Sequence, residues 1–257
     1  MLKKMKKFFI LCSLLCLAGL SANPVTGGKR YRADFEARTI QKAYPLDWFC
    51  QGVKLEKAEY PGISFRFFNA RKKEVRPAEK RPYYLVFSDK FAPYSFEFYA
   101  PDDSVRLALL KSGVVVRNLK VTEVPVGKDL SLPTDYHVTG PARNAVISIN
   151  PDKTVTFDVG ANGVVETMSV PVKGGKRYRL TVYGGRSFRG GKRSSLLVRY
   201  YFRKTAAGKS VSSNKEALRI ANPEKPLVYE ILAPKDAKWF SLWCMWGAFH
   251  SYKLEAL

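Results

Sequence analysis

The string Gly-Gly-Lys-Arg-Tyr-Arg occurs twice, at Gly27–Arg32 and at Gly174–Arg179, a separation of 147 residues. An internal repeat constrains a fold strongly, because both copies must bury the same pattern of side chains. Further on the separation shortens to 133. Phe65-Arg66-Phe67-Phe68 lines up with Val198-Arg199-Tyr200-Tyr201, and Glu97-Phe98-Tyr99-Ala100-Pro101 with Glu230-Ile231-Leu232-Ala233-Pro234. The same offset carries Asp103 onto Asp236, Leu109 onto Leu242 and Lys120 onto Lys253. The chain reads as two copies of one module, the first holding 14 extra residues within 39–64.

Residues 1–22 read as a secretory leader: Lys3, Lys4, Lys6 and Lys7 precede the apolar run Phe8–Leu20, and Ser21-Ala22 supplies small residues for cleavage before Asn23. The apolar run is about 13 residues, short of the roughly 20 that a membrane span needs. Cys16 follows Leu15, where a lipidation signal wants a small residue. The expected destination is outside the cytoplasm, as a secreted, periplasmic or cell-surface protein with no transmembrane segment once mature. The four leader lysines leave with it, so a formal charge of +22 becomes +18. The basic residues are spread over both copies, which describes a folded cationic surface rather than a tail. Such a surface concentrates polyanions; the alternative is a solubility surface with no specific partner. Export makes nucleic acid an unnatural ligand despite the charge.

Cys12 and Cys16 depart with the leader, leaving Cys50 and Cys244. Their positions in the repeat do not correspond, so a disulfide between them would tie one module to the other. Two separate thiols satisfy the sequence equally well.

The mature chain is patterned almost entirely as short strands. In Lys29–Glu36, Tyr31, Ala33 and Phe35 alternate with Arg30, Arg32, Asp34 and Glu36; in Lys176–Tyr183, Tyr178, Leu180 and Val182 alternate with Arg177, Arg179, Thr181 and Tyr183. Period-two alternation marks a half-buried strand. Further strands are expected at Ile63–Asn69, Tyr83–Phe87, Tyr94–Tyr99, Val105–Leu110 and Val114–Glu123. The second copy supplies Leu196–Phe202, Leu218–Ala221, Leu227–Leu232, Lys238–Trp246 and Ala248–Glu255. No long amphipathic helix is evident. Six or seven strands in about 100 residues predict an all-β chain of two tandem antiparallel, jelly-roll-like β-sandwiches. The expected boundaries are 23–124 for module one, 125–142 for a Pro/Gly-containing connector and 143–257 for module two. A hairpin-like stretch around Asn150-Pro151-Asp152 has no counterpart in copy one, so module one is expected to lean on the connector or on module two.

The run Val170-Pro171-Val172-Lys173-Gly174-Gly175-Lys176-Arg177-Tyr178-Arg179-Leu180 resembles the opening of carbohydrate-binding modules of the family 4 and 9 type. The stretches Phe98-Tyr99-Ala100-Pro101 to Leu109 and Ile231-Leu232-Ala233-Pro234 to Leu242 are also similar to that family. The resemblance covers copy two and most of copy one. It implies a jelly-roll sandwich of the kind found beside polysaccharide-degrading domains. The family's Asn-Pro-x-φ-Glu opening, associated with a structural calcium, is missing before copy two. The closing strand carries Tyr252-Lys253-Leu254-Glu255 in place of the family's Asp pair, so no metal site is carried over.

Catalytic signals are lacking. There is no Gly-x-Ser-x-Gly, His-Glu-x-x-His, phosphate loop or cysteine pair at metal spacing, and the two histidines are His137 and His250. Glu97 and Glu230 occupy equivalent positions, which fits either a functional acid or a recurring partner for arginine. No enzyme, cofactor or metal is expected. Binding is better supported. In Lys238–Trp246 the alternation assigns Phe240, Leu242, Cys244 and Trp246 to the core and turns Trp239 and Trp243 to the opposite face, about 13 Å apart at roughly 3.3 Å per residue. Arg199 and Tyr201 turn outward on the neighbouring strand. A sugar ring stacks on an aromatic face, and a nearby guanidinium holds a hydroxyl, carboxylate or sulfate. Tyr183, Arg186, Arg189 and Trp48 join the candidates from strand ends and loops at one end of the sandwich. The competing arrangement covers these aromatics with a loop or the other module. At the 133 offset Trp239 and Trp243 correspond to Arg106 and Leu110, Tyr201 to Phe68 and Arg199 to Arg66, which assigns stacking to module two.

The function expected is non-catalytic binding of glycans, preferably acidic polysaccharides. The alternative is a structural or assembly protein of the cell envelope, held to anionic surfaces by its charge and contacting protein partners through its sandwiches. Cleavage before Asn23 predicts that the exported protein starts Asn-Pro-Val on N-terminal sequencing.

Overall fold

The computed structural model describes residues 23–40, 61–77, 83–86, 88–133, 137–138, 146–149, 155–158, 164–186, 195–214 and 217–257. The described residues are all-β, with antiparallel pairing throughout. The first half of the chain supplies β1 (Asn23–Pro24), β2 (Arg30–Thr39), β3 (Gly62–Phe68), β4 (Glu74–Val75), β5 (Tyr83–Leu85), β6 (Ala92–Tyr99), β7 (Arg106–Ser112), β8 (Val114–Glu123) and β9 (His137–Val138). The second half supplies β10 (Val146–Ile149), β11 (Val155–Asp158), β12 (Val164–Glu166), β13 (Val170–Pro171), β14 (Arg177–Arg186) and β15 (Leu196–Arg203). It continues with β16 (Ser210–Ser213), β17 (Leu218–Ile220), β18 (Leu227–Leu232), β19 (Trp239–Met245) and β20 (Gly247–Ala256). No described helix is long and apolar enough to cross a membrane.

Each half folds as two sheets. The first pairs β1-β7-β3-β5-β9, with β4 on β3, against β6-β2-β8; the second pairs β12-β19-β15-β16, with β13 and β17 attached, against β10-β11-β20-β14-β18. The repeat is visible in the pairing itself. Asn23 faces Leu107 as Val170 faces Phe240, and Arg30 faces Tyr99 as Arg177 faces Leu232. One part of the expected register shifts. Phe65 faces Leu109, but Val198 faces Cys244, so the structural counterpart of Phe65 is Tyr200 and that of Phe67 is Phe202. A two-residue slip keeps every side chain on its face, which is why the aromatic spacing hid it. Tyr201 consequently matches Arg66, and Arg199 matches Ser64.

The cores follow the alternation. Phe65 and Phe67 reach across to Phe96 and Phe98, with Phe65–Phe96 edge-on at 4.5 Å between centroids. In the second half Phe202 and Phe240 pack at 5.5 Å beside Tyr200, over the buried Leu180, Val182 and Leu254. Cys244 is fully buried here, and desolvation raises its thiol pKa well above the ordinary range, so it packs as a small apolar residue. Cys50 lies outside the described residues. Thr181, expected to face out, is buried.

The connector is not a free spacer. Asp129 bridges Glu255, Leu130 N donates to Leu254 O, and Ala256 N donates to Lys128 O, which adds this segment to the edge of β20. Tyr99 of the first half donates its hydroxyl to Leu130 O, and β9 returns to pair with β5.

The doubled glycines of the repeated string have separate duties. Gly28 and Gly175 adopt φ of 79° and 76°, a left-handed turn that side chains disfavour. Gly27 and Gly174 press against a loop: a Cβ on Gly174 would lie 2.2 Å from Lys235 O, and one on Gly27 2.8 Å from Pro101 O. Gly174→Ala is therefore expected to destabilise the protein by about 1–3 kcal/mol through overpacking, and more than Gly27→Ala, as read from urea midpoints.

Candidate functional site

The face of β12-β19-β15 turned away from the second core carries ladder rows that cross the strands. Trp243 stands opposite Glu166 on one side and Arg199 on the other; Met245 stands opposite Val164 and Leu197, and Leu197 opposite Arg219. Together Leu197, Arg199, Ala217, Arg219, Trp243, Met245 and Trp246 line an open groove of about 540 Å³. Its floor is apolar, from Leu197, Ala217 and Met245. Two indoles and two guanidiniums complete its lining. Neither Arg199 nor Arg219 pairs with a carboxylate among the described residues, while Glu166 is engaged by Arg203 at 2.9 Å. Among the described residues the groove thus carries positive charge without a paired acid, beside aromatic rings.

Trp246 corrects the expectation that placed it in the core. It is 40% exposed and has φ of 67°. The alternation stops at Met245, because the chain turns sharply there to start β20. The same turn in the first half is made by Gly113, at φ of 63°. A bulky residue in this backbone region is uncommon and costs energy that glycine avoids. The repeat aligned Trp246 with Gly113, and that alignment was the signal that could have found it.

Trp239 is also corrected. It is 2% exposed, and its indole Nε1–H donates to Asp102 of the first half at 2.5 Å; Asp102 Oδ2 also accepts from Ala206 N at 3.1 Å. The period-two rule placed Trp239 on the right face but could not show that the first half covers that end of it. The competing arrangement considered from sequence holds for this tryptophan.

The remaining candidates separate. Arg199 is exposed, Trp243 and Tyr201 are half-buried, and Tyr201 meets the Trp243 ring edge-on at 5.8 Å and 85°. Arg186 is exposed at the end of β14, opposite Gly247 and so next to Trp246. Tyr183 belongs to the opposite sheet, opposite Ser251, and does not line the groove. Arg189 and Trp48 lie outside the described residues. Sequence reasoning missed Arg219 and Met245, which come to Leu197 only through pairing of β15 with β17 and β19.

Tyr201 is tied inward as well. Arg203, 7% exposed, lies 5.7 Å from its ring and donates to Ser241 Oγ and Glu166. The repeated acids are arginine partners: Glu97 binds Arg30 at 2.6 Å and Glu230 lies 3.7 Å from Arg179. His250 contacts Thr156 Oγ1 through Nδ1 at 2.8 Å, and burial lowers its pKa. No group of three or more potential metal ligands occurs among the described residues.

No protein-family model and no curated protein matches the chain. Among solved structures it is similar to the N-terminal CBM22-1–CBM22-2 tandem domain of Xyn10C from Paenibacillus barcinonensis, at 8% identity over 91% of this chain and 80% of that one, with a TM-score of 0.29. The extracellular domain of ANXUR2 from Arabidopsis thaliana gives 8% identity, 93% and 81% coverage and a TM-score of 0.27. The tandem CBM51 modules of Sp3GH98 from Streptococcus pneumoniae give 11%, 92% and 80%, and 0.24. Likenesses this distant leave function to the geometry of the groove.

Removing the indole donor should be felt in stability. Trp239→Phe is expected to cost about 1–3 kcal/mol by leaving a bond of Asp102 unmade. Trp246→Asn, on an exposed left-handed residue, should cost less than about 0.5 kcal/mol. Urea denaturation of the two variants reads the difference.

Proposed function

We propose that this is a secreted, non-catalytic glycan-binding protein whose second sandwich binds acidic polysaccharide in the Trp243–Trp246 groove. The observation that carries this reading is the pairing of two accessible indoles with two arginines that have no acid partner among the described residues. Sugar C–H faces stack on indole rings. A planar guanidinium fits a carboxylate or sulfate with two parallel hydrogen bonds. With the four leader lysines removed, the remaining formal charge of +18 adds long-range attraction for a polyanion. The placement of a tryptophan where the sister turn uses glycine supports the same reading, since backbone strain concentrates at working sites.

Among the described residues the first sandwich carries no equivalent platform. At the positions of Trp239, Trp243 and Trp246 it has Arg106, Leu110 and Gly113, and Arg106 lies over Phe68 at 5.8 Å. Stacking is assigned to the second sandwich, and electrostatic attachment or rigidity to the first. The envelope-assembly alternative draws support from one observation, the burial of Trp239 between the two halves. That contact is internal to the chain, so it needs no outside partner.

Affinity electrophoresis in polygalacturonate and in a neutral glucan tests the reading. Trp243→Ala should weaken retardation by up to about a hundredfold in affinity, taking ring stacking as roughly 1–3 kcal/mol. Arg199→Ala with Arg219→Ala should abolish the preference for the acidic polymer and flatten the salt dependence. Equal binding of both polymers by the parent removes the acidic preference; binding of neither removes the function.

A further inference from the structure

We infer that Asp102, in the first sandwich, is a positioning residue for the groove in the second: by holding Trp239 it fixes, through Arg203 and Tyr201, the ring of Trp243. The ligand-binding consequence rests on the glycan reading above; the positioning itself does not.

Asp102 sits in the turn between β6 and β7, and the repeat places Lys235 at its counterpart in the second copy. The fold of the repeat therefore does not demand a carboxylate there. Its role lies between the copies, where one oxygen accepts from both Trp239 Nε1 and Ala206 N. Trp239 is opposite Arg203 in the β19–β15 ladder. The Arg203 guanidinium is held by Ser241 and Glu166 and lies over Tyr201, whose ring contacts Trp243 edge-on. Trp239, Ser241 and Arg203 are all buried, and a packed interior transmits a displacement because it has no free volume to absorb it. In the first sandwich the positions of Trp239 and Arg203 hold Arg106 and Phe68, and the position of Trp243 holds Leu110, which offers no ring to orient.

The test uses the full chain labelled with 5-fluorotryptophan, each fluorine signal assigned by Trp→Phe substitution, without ligand. Asp102→Ala should move or broaden the signals of Trp239 and Trp243 together and leave Trp246 in place. The same variant should bind polygalacturonate about five- to tenfold more weakly. Asp102→Asn keeps an oxygen that can accept both bonds and should restore the signals and most of the affinity. A Trp243 signal that stays put in folded Asp102→Ala overturns the inference, whatever the affinity does. If Asp102→Ala does not fold, Arg203→Lys replaces it: Trp243 should move and Trp239 should not, and an unmoved Trp243 overturns the inference again. A parent protein that binds no acidic polymer sinks the functional reading while the fluorine signals still decide the coupling.

Discussion

In each half of the chain a single left-handed residue carries the backbone from one sheet of the sandwich to the other. Gly113 does so between β7 and β8, Trp246 between β19 and β20. A one-residue connection leaves no slack, so the last two strands of each copy are fixed in mutual height and direction. The strands on either side, β2 with β8 and β14 with β20, inherit that placement through long ladders. Gly247, next to Trp246, lies so close to Leu196 that a Cβ there would stand 2.4 Å from its backbone. The edge where the two sheets meet is thus closed by backbone contact, and the groove lies against that rigid edge.

The second constraint joins the copies. Tandem domains commonly meet through modest polar interfaces and move relative to one another. Here the connector adds hydrogen bonds to β20, Tyr99 reaches Leu130, and Asp102 binds an indole N–H and a backbone N–H of the other half. A carboxylate with two good donors loses little on desolvation. The same contact takes one tryptophan out of the exposed set and leaves the neighbouring one half-open. Of the face expected to carry two platforms, one end became an interface and the other a groove.

Strand alternation, the repeat and the two-sheet architecture were all legible in the chain. They follow from rules that act over a few residues: period-two burial, glycine in left-handed turns and turn chemistry. Phe240, Leu242 and Cys244 face the core as their spacing implies. Short strands such as β12 and β16 gave no periodic signal, because three or four residues at a sheet edge contain too few alternations to read.

What the sequence determined by itself is which face each side chain takes within its strand, and hence that Trp239 and Trp243 share a side. Only the tertiary structure decided which of them meets solvent. That outcome depends on Asp102, 137 residues away in the chain, and on a loop contact that local pattern does not encode. Likewise Arg219 and Trp246 join Arg199 and Trp243 through pairing between strands distant in sequence and through one turn where the alternation ends. Local sterics act along the strand, whereas exposure is set by whatever is packed above it.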